Sequence, residues 1–233
     1  MSSDLLRLFA GLDNASLERL ADRREALLSG GRVAAALALT AIPGARALAA
    51  NHLPDPVVRV LNFALTLEYL EASFYNRGIR SGIIPAGEDL RVFRTIQEHE
   101  NEHVRFLRRT LGSAAVPKPQ FDFTAGGALP NPFKDYELFK LLAQAFEDTG
   151  VRAYKGQVRA LKPYDVYLTA AVTIHSVEAR HAAWIRYIAG APPAAEPFDE
   201  AKSVKETLQL VRATRFIVAQ PRTRSRRRPR FTG

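Results

Sequence analysis

Apolar residues recur every three to four positions through four long stretches of the chain, which is the periodicity of an α-helix with one buried face. Each stretch exceeds 20 residues, or about 30 Å of helix, and strand patterns are nearly absent. The first stretch opens on Asp55-Pro56, where we expect Asp55 to cap the helix. The predicted helices are Pro56–Arg77, Glu88–Leu111, Asp135–Leu161 and Pro163–Ile188, with Gly78, Gly112 and Gly190 marking three of the ends.

The loops between these helices predict the topology. About ten residues join the first helix to the second and very few join the third to the fourth, so each pair forms an antiparallel hairpin. Residues 113–134, with four Pro and two Gly, are long enough to cross the bundle and make the third helix parallel to the second. The pattern therefore predicts an all-α, ferritin-like four-helix bundle, two hairpins with a long crossover. Residues 203–217 predict a short fifth helix.

Glutamate and histidine repeat in the same order through the four predicted helices. The second and fourth helices each carry a Glu-x-x-His motif, and the first and third each carry a Glu followed seven residues later by a Tyr. The predicted metal ligands are Glu68, Glu100, His103, Glu147, Glu178 and His181. Residues i and i+3 lie on one helix face, so each Glu-x-x-His pair can point at one centre. The spacing from Glu to motif is 32 residues in one half and 31 in the other, which indicates two related hairpins.

Four carboxylates and two imidazoles are the donor set of a site for two divalent metal ions. Carboxylates bridge neighbouring ions, and four negative charges balance two M²⁺ in a buried site. Hard oxygen and imidazole donors suit iron, and manganese accepts the same ligands. The competing interpretation is ordinary surface charge on helices. The apolar neighbours of Glu68, Glu147 and His181 favour burial, and a buried carboxylate needs a partner or a metal.

Other polar residues near the motifs leave alternatives open. Glu71 lies one turn after Glu68 and competes with it as the ligand of the first helix, although only Glu68 repeats the spacing to a tyrosine. Tyr75 and Tyr154 either hydrogen-bond ligand carboxylates across the bundle or are core tyrosines. His175 is either a neighbour of the ligands or a hydrogen-bonded core histidine. We expect His99 at the surface, and we identify no catalytic residue beyond the metal ligands.

The first 50 residues are assigned to a separate segment. A charged stretch with Arg23-Arg24 precedes the uncharged run 33–42, and small residues fit an A-x-A cleavage pattern at residues 45–49. This order is typical of a twin-arginine export signal, although Ala26 stands where Phe is usual and the charged stretch is long. The alternative is an N-terminal helical arm, which would leave the protein cytoplasmic instead of periplasmic. No apolar run reaches the length of a membrane span.

Charge and cysteine content limit the remaining functions. The net charge is +9, but residues 221–233 carry six Arg and no acid, so the high pI belongs mainly to the tail. We therefore divide the chain into residues 1–50, a ferritin-like domain over 51–218 and a disordered Arg-rich tail over 219–233, which is suited to polyanions. The chain has no Cys, which excludes thiolate catalysis, disulfides and iron–sulfur clusters.

Four segments resemble a known family, the ferritin-like domain proteins that include desiccation- and stress-related members, often exported in bacteria. They are LNFALTLEYLEASFY (61–75), EHENEHVRFLRRTLG (98–112), AFEDTGVRAYKG (145–156) and HSVEARHAAWIR (175–186). Residues 198–217 resemble the C-terminal helix of that family, whereas the Arg-rich tail has no recognised counterpart. The resemblance implies the same ligand set, Glu68, Glu100, His103, Glu147, Glu178 and His181, and a role in stress protection.

The expected function follows from the di-metal site. The leading hypothesis is a di-iron protein that oxidises Fe²⁺ with O₂ or hydrogen peroxide. The sequence leaves open whether the protein turns over as an oxidoreductase. The alternatives are a dimanganese, catalase-like enzyme and a protective bundle that a metal stabilises without turnover. The sequence does not choose between a monomer and a homo-oligomer.

Overall fold

The computed structural model describes residues 53–218 and consists of five α-helices and one two-stranded sheet. The predicted all-α bundle is confirmed. The helices are α1 (Asp55–Ser81), α2 (Glu88–Leu111), α3 (Tyr136–Leu161), α4 (Asp165–Ile188) and α5 (Val204–Thr214). A 3₁₀ turn covers Gly112–Ala114, and the strands are β1 (Gln120–Phe121) and β2 (Ile217–Val218). The export-signal and tail predictions lie outside the described residues.

Both ends of α1 differ from the sequence prediction. Asp55 is the first helical residue and Pro54 is the N-cap, so Asp55 contributes its negative charge to the first turn instead of a capping hydrogen bond. The helix also continues through Gly78, which is buried, and ends at Ser81, with Gly82 as the C-cap at a φ of 71°. The prediction that Gly78 ends the helix is wrong because this glycine serves close packing: a Cβ there would lie 2.3 Å from Cε2 of Phe139.

The other helix ends agree closely with the sequence pattern. α2 ends at Leu111 before Gly112, as predicted. Asp135 caps α3 by accepting a hydrogen bond from the backbone N–H of Leu138. α5 begins with a capping box, in which Ser203 and Glu206 each accept from the other's backbone N–H.

Contacts between helices establish the relative directions of α1, α2 and α3. Glu68 on α1 meets Tyr154 on α3, and Tyr75 meets Glu147, so residue numbers rise on α1 as they fall on α3. α2 is likewise antiparallel to α1, because Asn76 meets Asn101 while Glu68 meets His103. α2 and α3 are therefore parallel, as the long crossover requires. The crossover is held to the segment after α5 by β1, which pairs antiparallel with β2.

The apolar core is divided into two main clusters along the bundle. One cluster contains Phe74, Phe93 and Phe139, and the other contains Leu65, Leu107 and Leu161. Buried acids and histidines lie on the helix segments between them, at Glu68, Glu71, Glu100, His103, Glu147, Glu178 and His181. The fold thus places an ionisable layer in the middle of an apolar bundle. Within the described part of the chain, none of the helices has the length and apolarity to cross a membrane.

Candidate metal centre

All six residues predicted as ligands meet in the interior of the bundle, and each of the four long helices contributes to the cluster. The side chains of Glu68, Glu100, Glu147 and Glu178 have no exposed surface, and His181 is 1% exposed. Burying four carboxylates without counter-charges costs far more free energy than a small domain has available, so their environment must compensate them.

The donor atoms form two overlapping groups, each lying within 4.8 Å. Glu100 and Glu178 belong to both groups. Glu68 and His103 complete the first, and Glu147 and His181 complete the second. We call these the Glu68 half-site and the Glu147 half-site. A pair of shared carboxylates between two terminal Glu–His pairs is the arrangement in which two cations lie next to each other.

Each histidine directs its Nδ1 atom at the carboxylates. His103 Nδ1 lies 3.1 Å from Glu178 Oε1, 3.2 Å from Glu68 Oε2 and 3.5 Å from Glu100 Oε2. On the other side, His181 Nδ1 lies 2.9 Å from Glu100 Oε1 and 3.3 Å from Glu147 Oε2. The Glu-x-x-His spacing on α2 and α4 produces this convergence, since residues three apart share one helix face.

Several of these carboxylate and imidazole atoms lack a hydrogen bond of good geometry, although they lie close to one another. The orphaned atoms are Glu100 Oε1 and Oε2, Glu147 Oε2, Glu178 Oε1 and Oε2, and His181 Nδ1. Buried polar atoms without partners are rare in native proteins and call for a specific explanation. Carboxylate oxygens and imidazole nitrogens whose lone pairs converge are suitable ligands for divalent cations of the first transition row, so these residues fit a di-metal group.

The two tyrosines of the repeat hydrogen-bond the terminal carboxylates crosswise. The Tyr154 hydroxyl on α3 donates to Glu68 on α1, and the Tyr75 hydroxyl on α1 donates to Glu147 on α3. Both tyrosines are buried in the apolar core as well. Each hydroxyl therefore occupies one oxygen of a terminal carboxylate and restricts its rotation.

Burial and mutual repulsion set the protonation of the metal-free cluster. Burial raises the pKa of Glu68 to about 8, and it holds the pKa of Glu178 well above its usual range together with the charge of Glu100. Burial also raises the pKa of Glu100, but the charge of His103 outweighs it and the pKa falls well below normal. Burial lowers the pKa of His181, yet Glu147 and Glu100 outweigh it and the pKa rises to about 10.

Glu71, the alternative ligand on α1, is buried beside the cluster but belongs to neither donor group. Its Oε1 atom and Glu178 Oε2 each lie 3.2 Å from the position that a Cβ on Gly150 would take. Gly150 follows Glu147 by three residues, as Glu71 follows Glu68, so the two positions correspond in the internal repeat. Because Gly150 has no side chain, the space beside it accommodates the Glu71 carboxyl group. Burial and the charge of Glu178 hold the pKa of Glu71 well above its usual range.

Two further histidines lie on α2 and α4, and the first of them differs from the sequence prediction. His99 is not a surface residue: it is half-buried, and its Nδ1 atom lies 2.9 Å from Nε2 of His181. Its position four residues before His103, on the same face of α2, is the signal that identifies it. His175 is half-buried and belongs to neither donor group.

Comparison with family models agrees with this architecture. The model described as a ferritin-like domain matches residues 57–191, from the first turn of α1 to just beyond α4. No curated protein matches the sequence. Because the matched segment covers more than half of the chain and includes all six residues of the cluster, this protein belongs to the ferritin-like domain family.

Proposed function

We propose that the protein binds two divalent metal ions between its four long helices and oxidises Fe²⁺ with O₂ or hydrogen peroxide. The observation that carries the proposal is the pair of overlapping donor groups, in which carboxylate oxygens and imidazole nitrogens converge within 4.8 Å and several of these atoms are orphaned. Oxygen and imidazole donors favour iron, and the charges of four glutamates balance those of two divalent ions.

The residues have distinct roles in this proposal. Glu100 and Glu178 are shared between the metal positions, whereas Glu68 with His103 and Glu147 with His181 are terminal ligands. Tyr154 and Tyr75 orient the terminal carboxylates by donating hydrogen bonds to them. The apolar residues on both sides of the cluster exclude bulk water and strengthen the electrostatic interactions within it. Two adjacent iron ions, when bound, supply the two electrons that reduction of peroxide requires.

Metal content after anaerobic loading with Fe²⁺ tests the site. We expect about two irons per wild-type chain after desalting, and far fewer for Glu100→Ala, because Glu100 belongs to both half-sites. Glu98→Ala is the matched control, since Glu98 is exposed on the same helix two residues earlier. Wild-type protein that retains no iron or manganese, or a Glu100→Ala variant that retains two ions, would contradict the proposed site.

Oxidation of Fe²⁺ is tested separately from binding. Stopped-flow absorbance after mixing the loaded protein with O₂ or peroxide should show a rate that Glu100→Ala abolishes and Glu98→Ala preserves. Manganese accepts the same donors, so the same chains loaded with Mn²⁺ should be assayed for peroxide disproportionation. Two bound ions that raise the melting temperature without any turnover would identify a metal-stabilised protective bundle instead.

A further inference from the structure

His181 uses both nitrogens of its ring, and they face different surroundings. Nδ1 faces the carboxylates of Glu100 and Glu147, at 2.9 and 3.3 Å. Nε2 lies 2.9 Å from Nδ1 of His99, and the two rings are inclined by only 20° with their centroids 5.2 Å apart. A histidine that presents Nδ1 to a cation carries its proton on Nε2, so His181 is the donor and His99 the acceptor.

The equivalent interaction is absent on the other half of the cluster. Aligning the two Glu-x-x-His motifs places Glu100 on Glu178 and His103 on His181, and it places His99 on Val177. A valine side chain offers no hydrogen-bond acceptor. Within residues 53–218, the hydrogen bond and the ion pairs of the His103 side chain are all made by Nδ1, and this side chain is 10% exposed. The internal repeat is therefore broken at the residue that supports the metal-facing histidine.

We propose that His99 is a positioning residue that makes the two half-sites unequal, so that the Glu147 half-site binds its metal ion more tightly than the Glu68 half-site. The proposal rests on the di-metal function argued above. A hydrogen bond from the second nitrogen of a ligating histidine selects the tautomer, fixes the ring and raises the basicity of the ligating nitrogen. Removal of such a partner reduces metal affinity about 10- to 100-fold.

His99 is placed to accept this hydrogen bond, because its Nδ1 atom lies 2.9 Å from Nε2 of His181. Within the described residues, the hydrogen bond that the His99 side chain makes is the one with His181. The same histidine is half-buried and lies between the cluster and the outside of the bundle.

Stepwise titration of the full chain with Co²⁺ against a competing chelator tests the inequality. Wild-type protein should bind two ions with dissociation constants that differ at least about tenfold. His99→Leu, which fills the space without an acceptor, should weaken the tighter step about 10- to 100-fold and leave the other within about twofold. His99→Asn, whose Oδ1 occupies the place of Nδ1, should restore most of the affinity. His175→Leu, at a half-buried histidine outside the cluster, should change neither step.

Two equal steps in wild-type protein, equal weakening of both steps by His99→Leu, or a His99→Asn variant no better than His99→Leu would overturn the proposal. A second readout separates its failure from that of the di-metal site. Long-range ¹H–¹⁵N spectra of the Zn²⁺-loaded protein should show a hydrogen-bonded Nε2–H on His181 that His99→Leu shifts and His99→Asn retains. No metal binding by any chain refutes the di-metal function, whereas two equal, intact steps refute only the role of His99.

Discussion

At the scale of single residues, two glutamates one turn apart on α1 have different environments. Glu68 accepts a hydrogen bond from Tyr154, contacts His103 and belongs to a donor group. Glu71 occupies the space above Gly150 and belongs to neither donor group. The difference arises on the neighbouring helix, where Gly150 leaves room for one acid and Tyr154 reaches the other.

Substitution of each acid by glutamine should distinguish ligand from neighbour. We expect Glu68→Gln to lose at least one of about two bound metal ions and Glu71→Gln to retain both, as measured by metal analysis after anaerobic loading. Glu71→Gln should also raise the melting temperature of the metal-free protein at pH 8 by about 3 °C, or about 1 kcal/mol, because a buried acid is removed. Loss of metal from Glu71→Gln with full retention by Glu68→Gln would assign the ligand to Glu71.

At the scale of helices, the packing of Phe139 on α3 against α1 depends on Gly78. Phe139 packs against the bare backbone of this glycine and stacks on Phe74, with ring centroids 4.5 Å apart. The helix that carries Glu68 and Glu71 is thereby held against the helix that carries Glu147 and Tyr154. The sequence pattern alone predicts that the helix ends at this glycine.

Gly78→Ala should therefore destabilise the protein. Glycine to alanine within a helix ordinarily stabilises it by about 0.5–1 kcal/mol, but the new Cβ would lie 2.3 Å from Phe139. We expect a net loss of about 1–3 kcal/mol in the free energy of unfolding, measured by urea denaturation. Arg80→Ala, at an exposed position two residues later, is the control and should be nearly neutral. A Gly78→Ala variant more stable than the wild-type protein would show that α1 and α3 can separate at this position without loss of stability.

At the scale of the whole molecule, the ionisable layer couples folding to pH. The acids Glu68, Glu71 and Glu178 have raised pKa values in the fold, so the folded protein retains protons that the unfolded chain releases above about pH 4.5. Their contribution to stability is present below that pH and is lost as pH rises through the folded pKa, about 8 for Glu68. The raised pKa of His181 acts in the same direction, from 6.5 to about 10.

The metal-free protein should lose stability between pH 6 and pH 8, and bound metal should reverse the loss. Metal ions displace the protons of the ligands, so their binding strengthens as pH rises. We expect the difference in melting temperature between Mn²⁺-loaded and metal-free protein to widen by roughly 5 °C or more over this range. Anaerobic thermal melts monitored by circular dichroism measure this difference. The Glu98→Gln variant, which lacks an exposed acid outside the cluster, is the control and should behave like the wild-type protein. A constant difference would contradict the coupling.

The sequence by itself determined the class of the fold and the identity of the cluster. Helical periodicity and loop length are local properties, so they predicted four long helices and their directions. The Glu-x-x-His spacing is likewise local to one helix, so it indicated which side chains point inward. Local signals placed the start of α1 within one residue but ended the helix four residues too early, at Arg77 instead of Ser81.

Only the tertiary structure decided how residues far apart in sequence share space. It placed Gly78 against Phe139, fitted Glu71 above Gly150 and brought His99 to His181, 82 residues away. Each of these contacts depends on the distance and rotation between two packed helices, which no single-helix pattern encodes. The cluster of four carboxylates and two histidines follows from spacing along each helix, whereas the contact of His99 with His181 follows from packing between helices.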